Sequence, residues 1–169
     1  MNIKNEIYAR KKEATQRAKI KYITFATDFY PEFTEDQYNR TDGTLTNILT
    51  NQVFCFESKW YGDPQHRRDS TKYKEKNTER YNFQIDYKKL EELTAKAKTT
   101  NSTPLLICFF SNELVVWDIS KCDWQSTKKK DVLTNKNGGS YGQQKEYSDQ
   151  AYLYLDEAIY RDPSITPFS

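Results

Sequence analysis

No apolar run in this chain approaches the roughly 18 residues that a membrane-spanning helix needs. Met1–Lys21 lacks the apolar core of a secretory signal, since charged residues interrupt it every few positions. Cysteine is sparse: Cys55, Cys108 and Cys122 are odd in number and form neither a CxxC zinc pattern nor a small disulfide framework. They read as buried, unremarkable thiols, and the chain as a cytoplasmic protein (host-cell cytoplasm if a phage encodes it). His66 is the sole histidine and lies in a polar stretch beside Arg67 and Arg68. Without His or Cys neighbours it reads as a surface residue, not a metal ligand or a nucleophile's base. Gly138-Gly139 lacks the strand before and helix after that a phosphate-binding loop requires. There are no internal repeats.

What is present is aromatic and charged. Apolar residues are only 36% of the 169, and much of that share is Tyr and Phe, whose rings bury large areas each and support a globular core. The net charge is only +2, so the surface as a whole does not attract polyanions. The distribution is more telling. Through Tyr22 there are seven Lys/Arg against two Glu; Lys128-Lys129-Lys130 and the 67–76 stretch form further clusters. Arg10, Lys11, Arg67, Arg68, Lys72 and Lys74 are the candidates for phosphate contacts. Each cluster taken alone also reads as a solvated face. The Lys/Asn/Tyr-rich usage and small size are in keeping with a phage or mobile-element gene.

Hydrophobic spacing predicts a helix over residues 2–19, with Ile3, Ile7, Ala14 and Ala18 on one face. Residues 22–29 read as a strand or irregular segment ended by Tyr30-Pro31. A hairpin follows, with arms at 41–49 and 52–60 around Thr50-Asn51. Its second arm contains Val53-Phe54-Cys55-Phe56, apolar on both faces as in a central strand. Residues 62–79 form a polar loop. Phe83, Tyr87, Leu90, Leu93 and Ala97 give a helix over about 81–98. Residues 105–110 and 114–119 are strands, 131–144 a long loop, and 151–155 a late strand followed by a short helix or tail.

The chemistry concentrates at Asp42 and at Glu57-Ser58-Lys59. On a strand Glu57 and Lys59 share a face, and two charges at the end of an apolar run must meet water, a cation or a partner. Asp42 on the antiparallel arm would bring a second carboxylate beside Glu57, and a divalent cation would relieve their repulsion. Mg²⁺ suits such a site, with Mn²⁺ as the alternative. The plain alternative is an exposed charged face next to an Asp42-Gly43 turn.

The order of elements resembles the PD-(D/E)XK, or restriction-endonuclease-like, nuclease superfamily. TDGTLT (41–46) resembles the strand with the first acid, and VFCFESKW (53–60) the ExK strand. Thr41 stands where the motif's name places proline. The resemblance covers roughly residues 1–120. It implies an α/β fold with a central mixed β-sheet flanked by helices. It also implies a single nuclease-like domain over 1–169, with 121–169 as a C-terminal loop and strand. Asp42 and Glu57 would be metal ligands, Lys59 the catalytic lysine, and the Ser58 carbonyl a further ligand. Glu13, with Glu6 second, would add an acid from the first helix. Gln84 resembles the glutamine or lysine that some members aim at the site from the following helix; a solvated helix face is the other reading. Trp60 reads as burial or as a base-stacking surface.

The function implied is a Mg²⁺-dependent endonuclease acting on DNA, for which cutting both strands favours a two-fold homodimer. Its rivals are a catalytically inactive nucleic-acid-binding or assembly protein on the same fold, and an interaction protein in which the ExK match is chance.

Overall fold

The structure, a computed structural model, describes all residues except 1–2, 26, 36–40, 64–66 and 136–144. His66 and Gly138-Gly139 lie outside the described residues.

Helix α1 spans Ile3–Phe25. It contains no Gly or Pro and is rich in Lys, Arg, Ala and Glu, all good helix formers. It runs past its expected end and takes in residues read as strand-like. The reason lies in packing: Ile20 and Thr24 are buried and Ile23 packs on the same core, a helical spacing that overrides the β-propensity of Tyr, Ile and Thr. The expected face is corrected too. Ile7, Ala14 and Ala18 are exposed, and the inward face instead runs through Lys12, Gln16 and Ile20.

Strand β1 (Phe29–Phe33) contains Pro31, which was expected to end the segment. Proline is tolerated because β1 is an edge strand, where a missing N–H breaks no ladder. The hairpin forms as read, with β2 (Gly43–Asn47) and β3 (Val53–Trp60) joined through Asn51 at φ 58°. The Asn47 carboxamide holds that turn by accepting from the Leu49 and Thr50 N–H groups.

The largest departure comes next. Residues 82–86 form strand β4 (Asn82–Asp86), and helix α2 starts only at Tyr87 (Tyr87–Thr99). Phe83 and Ile85 alternate inward as strand residues, while Leu90, Leu93 and Ala97 line the buried helix face. Asp86 marks the boundary, its carboxylate accepting from Lys88 N–H as an N-cap.

Strands β5 (Thr103–Phe109) and β6 (Leu114–Asp118) follow as expected. Strand β7 (Lys129–Asn135) occupies the start of the supposed loop, β8 (Lys145–Tyr154) is longer than read, the short helix expected after it is a 3-10 turn (Leu155–Glu157), and β9 (Tyr160–Asp162) follows.

A six-stranded mixed sheet runs β1-β2-β3-β5-β6-β9, with β3 and β5 parallel and every other pair antiparallel. A three-stranded sheet runs β4-β8-β7. The C-terminal third is therefore woven into both sheets. One face of the large sheet packs Phe56, Leu105, Ile107 and Phe109 with Ile20 of α1. The other packs Cys55, Leu106, Cys108 and Trp117 against α2 and the small sheet. Among the described residues, no helix is long and apolar enough to cross a membrane.

At Gly43 the β1 backbone comes close over β2. A Cβ there would lie 2.2 Å from the Glu32 carbonyl oxygen. Gly43→Ala should force β1 outward and destabilise the fold by about 1–3 kcal/mol, as overpacking typically does. Urea unfolding would show a lower midpoint at unchanged slope; an unchanged midpoint would refute the close approach.

Candidate active site

Strand β2 stops pairing at Gly43, opposite Phe56, whereas β3 continues to Trp60 along β5. One edge of β3 is thus open from Glu57 onward. Asp42 sits at the opening with its backbone fixed on both sides: its N–H donates to Phe56 O and its carbonyl accepts from Thr34 N, both at 2.9 Å. Its side chain then takes the place of the missing strand, since Oδ2 accepts from Ser58 N–H (2.7 Å) and Ser58 Oγ (2.8 Å). Gln16 of α1 donates to the same Ser58 hydroxyl. In a strand the N–H and C=O of one residue point the same way, so the Ser58 carbonyl also faces this opening.

Glu57 and Lys59 project to the α2 side of the sheet, in step with Cys55. Glu57 is only 7% exposed. Its Oε1 lies 3.1 Å from Lys59 Nζ and 3.4 Å from Lys89 Nζ of α2. Burial pulls the Lys59 pKa down, but the charge and hydrogen bond of Glu57, with Asp42 behind them, more than offset this and leave it above its ordinary value. Lys59 is therefore firmly a cation. Burial, and then the charge of Glu57, raise the Asp42 carboxyl pKa; the Ser58 hydrogen bonds and Lys59 oppose the rise without cancelling it. Lys12 of α1 comes near as well, its pKa lowered by burial and by Lys59 against the pull of Asp63.

Asp42, Glu57, Ser58 and Glu13 border one cleft of about 140 Å³, closed on the helix side by Gln16 and Arg17. Glu13 is at the rim, and its carboxylate is held by Arg17 at 2.9 Å. Among the described residues, no three His, Cys, Asp or Glu side chains converge as a ready metal cluster. The side chain of Glu6 lies outside those described.

The remaining expected residues are elsewhere. Gln84 is not on a helix near the site: it faces outward from β4, at 3.4 Å from both Gln150 and the Tyr152 hydroxyl. Its displacement follows from the late start of α2. Arg10 and Lys11 are exposed on α1. Arg67 and Lys72 border a separate depression with Phe168, and Arg68 stacks over Phe83. Lys74 pairs with Glu79. None of these six basic residues lines the carboxylate cleft; the basic residue of α1 that does is Arg17. Trp60 is half-buried and packs on Phe109.

Lys89, Gln16 and Lys12 are the neighbours that sequence reasoning missed. A signal for Lys89 existed. With Asp86 as N-cap it falls in the first turn of α2, where the helix dipole disfavours a cation. A lysine there needs an acidic partner, and it has Glu57.

No protein-family model matches the chain, and no curated protein matches it. Among solved structures it is similar to Hjc, a Holliday junction resolvase from the archaeal hyperthermophile Archaeoglobus fulgidus. The TM-score is 0.50 over 94% of this chain and 88% of that one, at 9% identity. The chain has the restriction-endonuclease-like fold. At that identity the likeness concerns the arrangement of elements. The resemblance read from 41–46 and 53–60 falls on β2 and β3 of this restriction-endonuclease-like sheet, with Asp42 just before β2 and Glu57-Ser58-Lys59 on the overhang of β3.

The raised pKa of Asp42 has a measurable sign. A carboxyl raised in the folded state contributes stability below its unfolded pKa of about 3.9 and loses it as pH rises through the folded value. In metal-free buffer the wild-type urea midpoint should fall across the window that begins there and extends upward. Asp42→Asn should flatten that fall while keeping an acceptor for Ser58. Parallel pH profiles for the two proteins would show that Asp42 is not strained.

Proposed function

We propose that residues 1–169 form a single nuclease-like domain that hydrolyses DNA phosphodiesters as a divalent-metal-dependent endonuclease. The observation that carries this reading is the meeting of Asp42, Glu57 and Lys59 at the overhang of β3, on a fold shared with a resolvase. Fold alone would not suffice.

The donor set fits a hard cation. Asp42, Glu57 and the Ser58 carbonyl offer oxygens only, as Mg²⁺ prefers, with Mn²⁺ the alternative. Burial, and then the charge of Glu57, hold up the ionisation of Asp42, and a bound cation would relieve both. Such a cation polarises a phosphate and lowers the pKa of bound water. The chain's own contribution is positioning and charge. Ser58, braced by Gln16 at its hydroxyl, occupies one oxygen of Asp42: both side-chain hydrogen bonds of Asp42 among the described residues fall on Oδ2, leaving Oδ1 for a ligand. Lys59, held protonated by Glu57, places a positive charge where negative charge grows on the phosphoryl oxygens. Lys89 of α2 adds a second ammonium at the same Glu57 oxygen. Branched DNA is the first substrate to try, given the solved resolvase, and a homodimer would suit paired cuts. Three buried free thiols suit a reducing compartment such as the cytoplasm.

One observation favours a catalytically inactive nucleic-acid-binding protein instead: Glu57 already has two ammonium partners. Cleavage of plasmid and four-way-junction DNA, with Mg²⁺ or with EDTA, separates the two. Cutting should require the metal, and Lys59→Ala should slow it by about 10²–10³, the usual loss when a transition-state charge donor is removed. Binding without cutting under any divalent cation would establish the inactive reading. Cutting at the wild-type rate by Lys59→Ala would remove that lysine from the mechanism.

A further inference from the structure

The outer face of the three-stranded sheet carries a second site. Phe83, Ile85, Ala151 and Leu153 point into the core, so the alternate residues Asn82, Gln84, Tyr152 and Tyr154 face outward. They floor an open trough of about 960 Å³ that shares no lining residue with the Asp42–Glu57 cleft.

Its lining combines flat rings with cations. Arg80 lies 3.6 Å above the Tyr154 ring, clamped by two bonds to Asp156 at 2.7 and 2.8 Å. A guanidinium so fixed extends the ring as a stacking surface. Lys129 stands over Tyr152 at 5.5 Å, and Arg68 over Tyr73 at 5.0 Å. Arg68, Lys76 and Lys129 have no carboxylate partner among the described residues. The acids of the trough are turned to internal use: Glu75 accepts from the Tyr154 hydroxyl, Glu157 from the backbone N–H groups of Asp123 and Tyr154, and Asp123 from Ser126. Among the described residues Gln84 makes only long bonds of 3.4 Å, so its amide is readily exchanged for another polar edge.

We propose that this trough binds single-stranded nucleic acid. Bases stack on Tyr152 and on the Tyr154–Arg80 pair, Gln84 and Asn82 meet base edges, and Arg68, Lys76 and Lys129 meet phosphates. The occupant must present both ring faces and anions. A duplex keeps its ring faces stacked inside, whereas a single strand exposes them to aromatic side chains and arginine planes. The proposal is independent of catalysis, because an inactive protein would bind in the same way.

The test is fluorescence anisotropy of the 169-residue chain with a labelled oligothymidine and with a hairpin duplex of equal phosphate number, across a salt series. The single strand should bind tighter. Tyr152→Ala should weaken it by about tenfold, within the range for losing one base–aromatic stack, and Tyr152→Phe should restore it. Lys129→Ala should reduce the log–log salt slope by about 0.7, the value for one phosphate contact on a single strand. Glu57→Ala, which disables the proposed cleavage site, should leave this affinity unchanged. Duplex preference, wild-type affinity in Tyr152→Ala, or loss of affinity in Glu57→Ala would overturn the proposal. Circular dichroism monitors folding, and if Tyr152→Ala unfolds, the Lys129→Ala slope decides.

Discussion

Strand β3 outruns β2, and the rest of the site depends on that mismatch. A strand edge without a neighbour leaves N–H and C=O groups that must find partners, and burial makes an unmet group costly. At Ser58 the partner is a side chain. Asp42, pinned by its own backbone between Phe56 and Thr34, offers its carboxylate where β2 would have offered a carbonyl. The structural need to finish a hydrogen-bond ladder and the placing of a charged oxygen at a cleft are met by one residue. Gly43 makes this possible, because only a residue without Cβ lets β1 close over the start of β2 and hold Asp42 from behind.

Electrostatics then follow from crowding. Two acidic residues border a small cleft, and the lysines around them are distributed unequally. Lys59 and Lys89 both reach Glu57, while Asp42 is served mainly by hydrogen bonds from Ser58. Asp42 is accordingly the group that burial and repulsion push upward, and Lys59 the one that attraction keeps charged. A first-turn lysine on α2 is unfavourable for the helix taken alone. It persists at the site because a buried carboxylate needs compensation more than the helix needs a quiet N-terminus.

The β3 motif was legible because two patterns overlapped there: a run apolar on both faces marked a central strand, and the charges after Phe56 marked its open end. Asp42 was legible through the hairpin, whose register follows from a short turn at Asn51. The start of α2 was not, since Phe83, Tyr87 and Leu90 satisfy a helical spacing while Phe83 and Ile85 satisfy a strand. Only the capping carboxylate of Asp86 separates the two. That one ambiguity moved Gln84 to the wrong element and hid Lys89. The placing of the basic clusters was illegible for another reason: sequence shows that charges are near one another along the chain, but which surface they line depends on long-range strand pairing such as β4 with β8.

The same boundary ties the two surfaces together. Gln84 faces the trough from β4, Asp86 caps α2 two residues later, and Lys89 touches Glu57 within the next turn. This short segment is held on one side by pairing with β8 and on the other by the buried face of Leu90 and Leu93, so it cannot shift at one end without straining the other. A strand lying in the trough and a phosphate in the cleft would therefore be referred to one rigid piece of backbone. Under the proposed function, that geometry would hold an unpaired stretch of nucleic acid at a set distance from the scissile bond, because positioning by packed elements is tighter than positioning by loops.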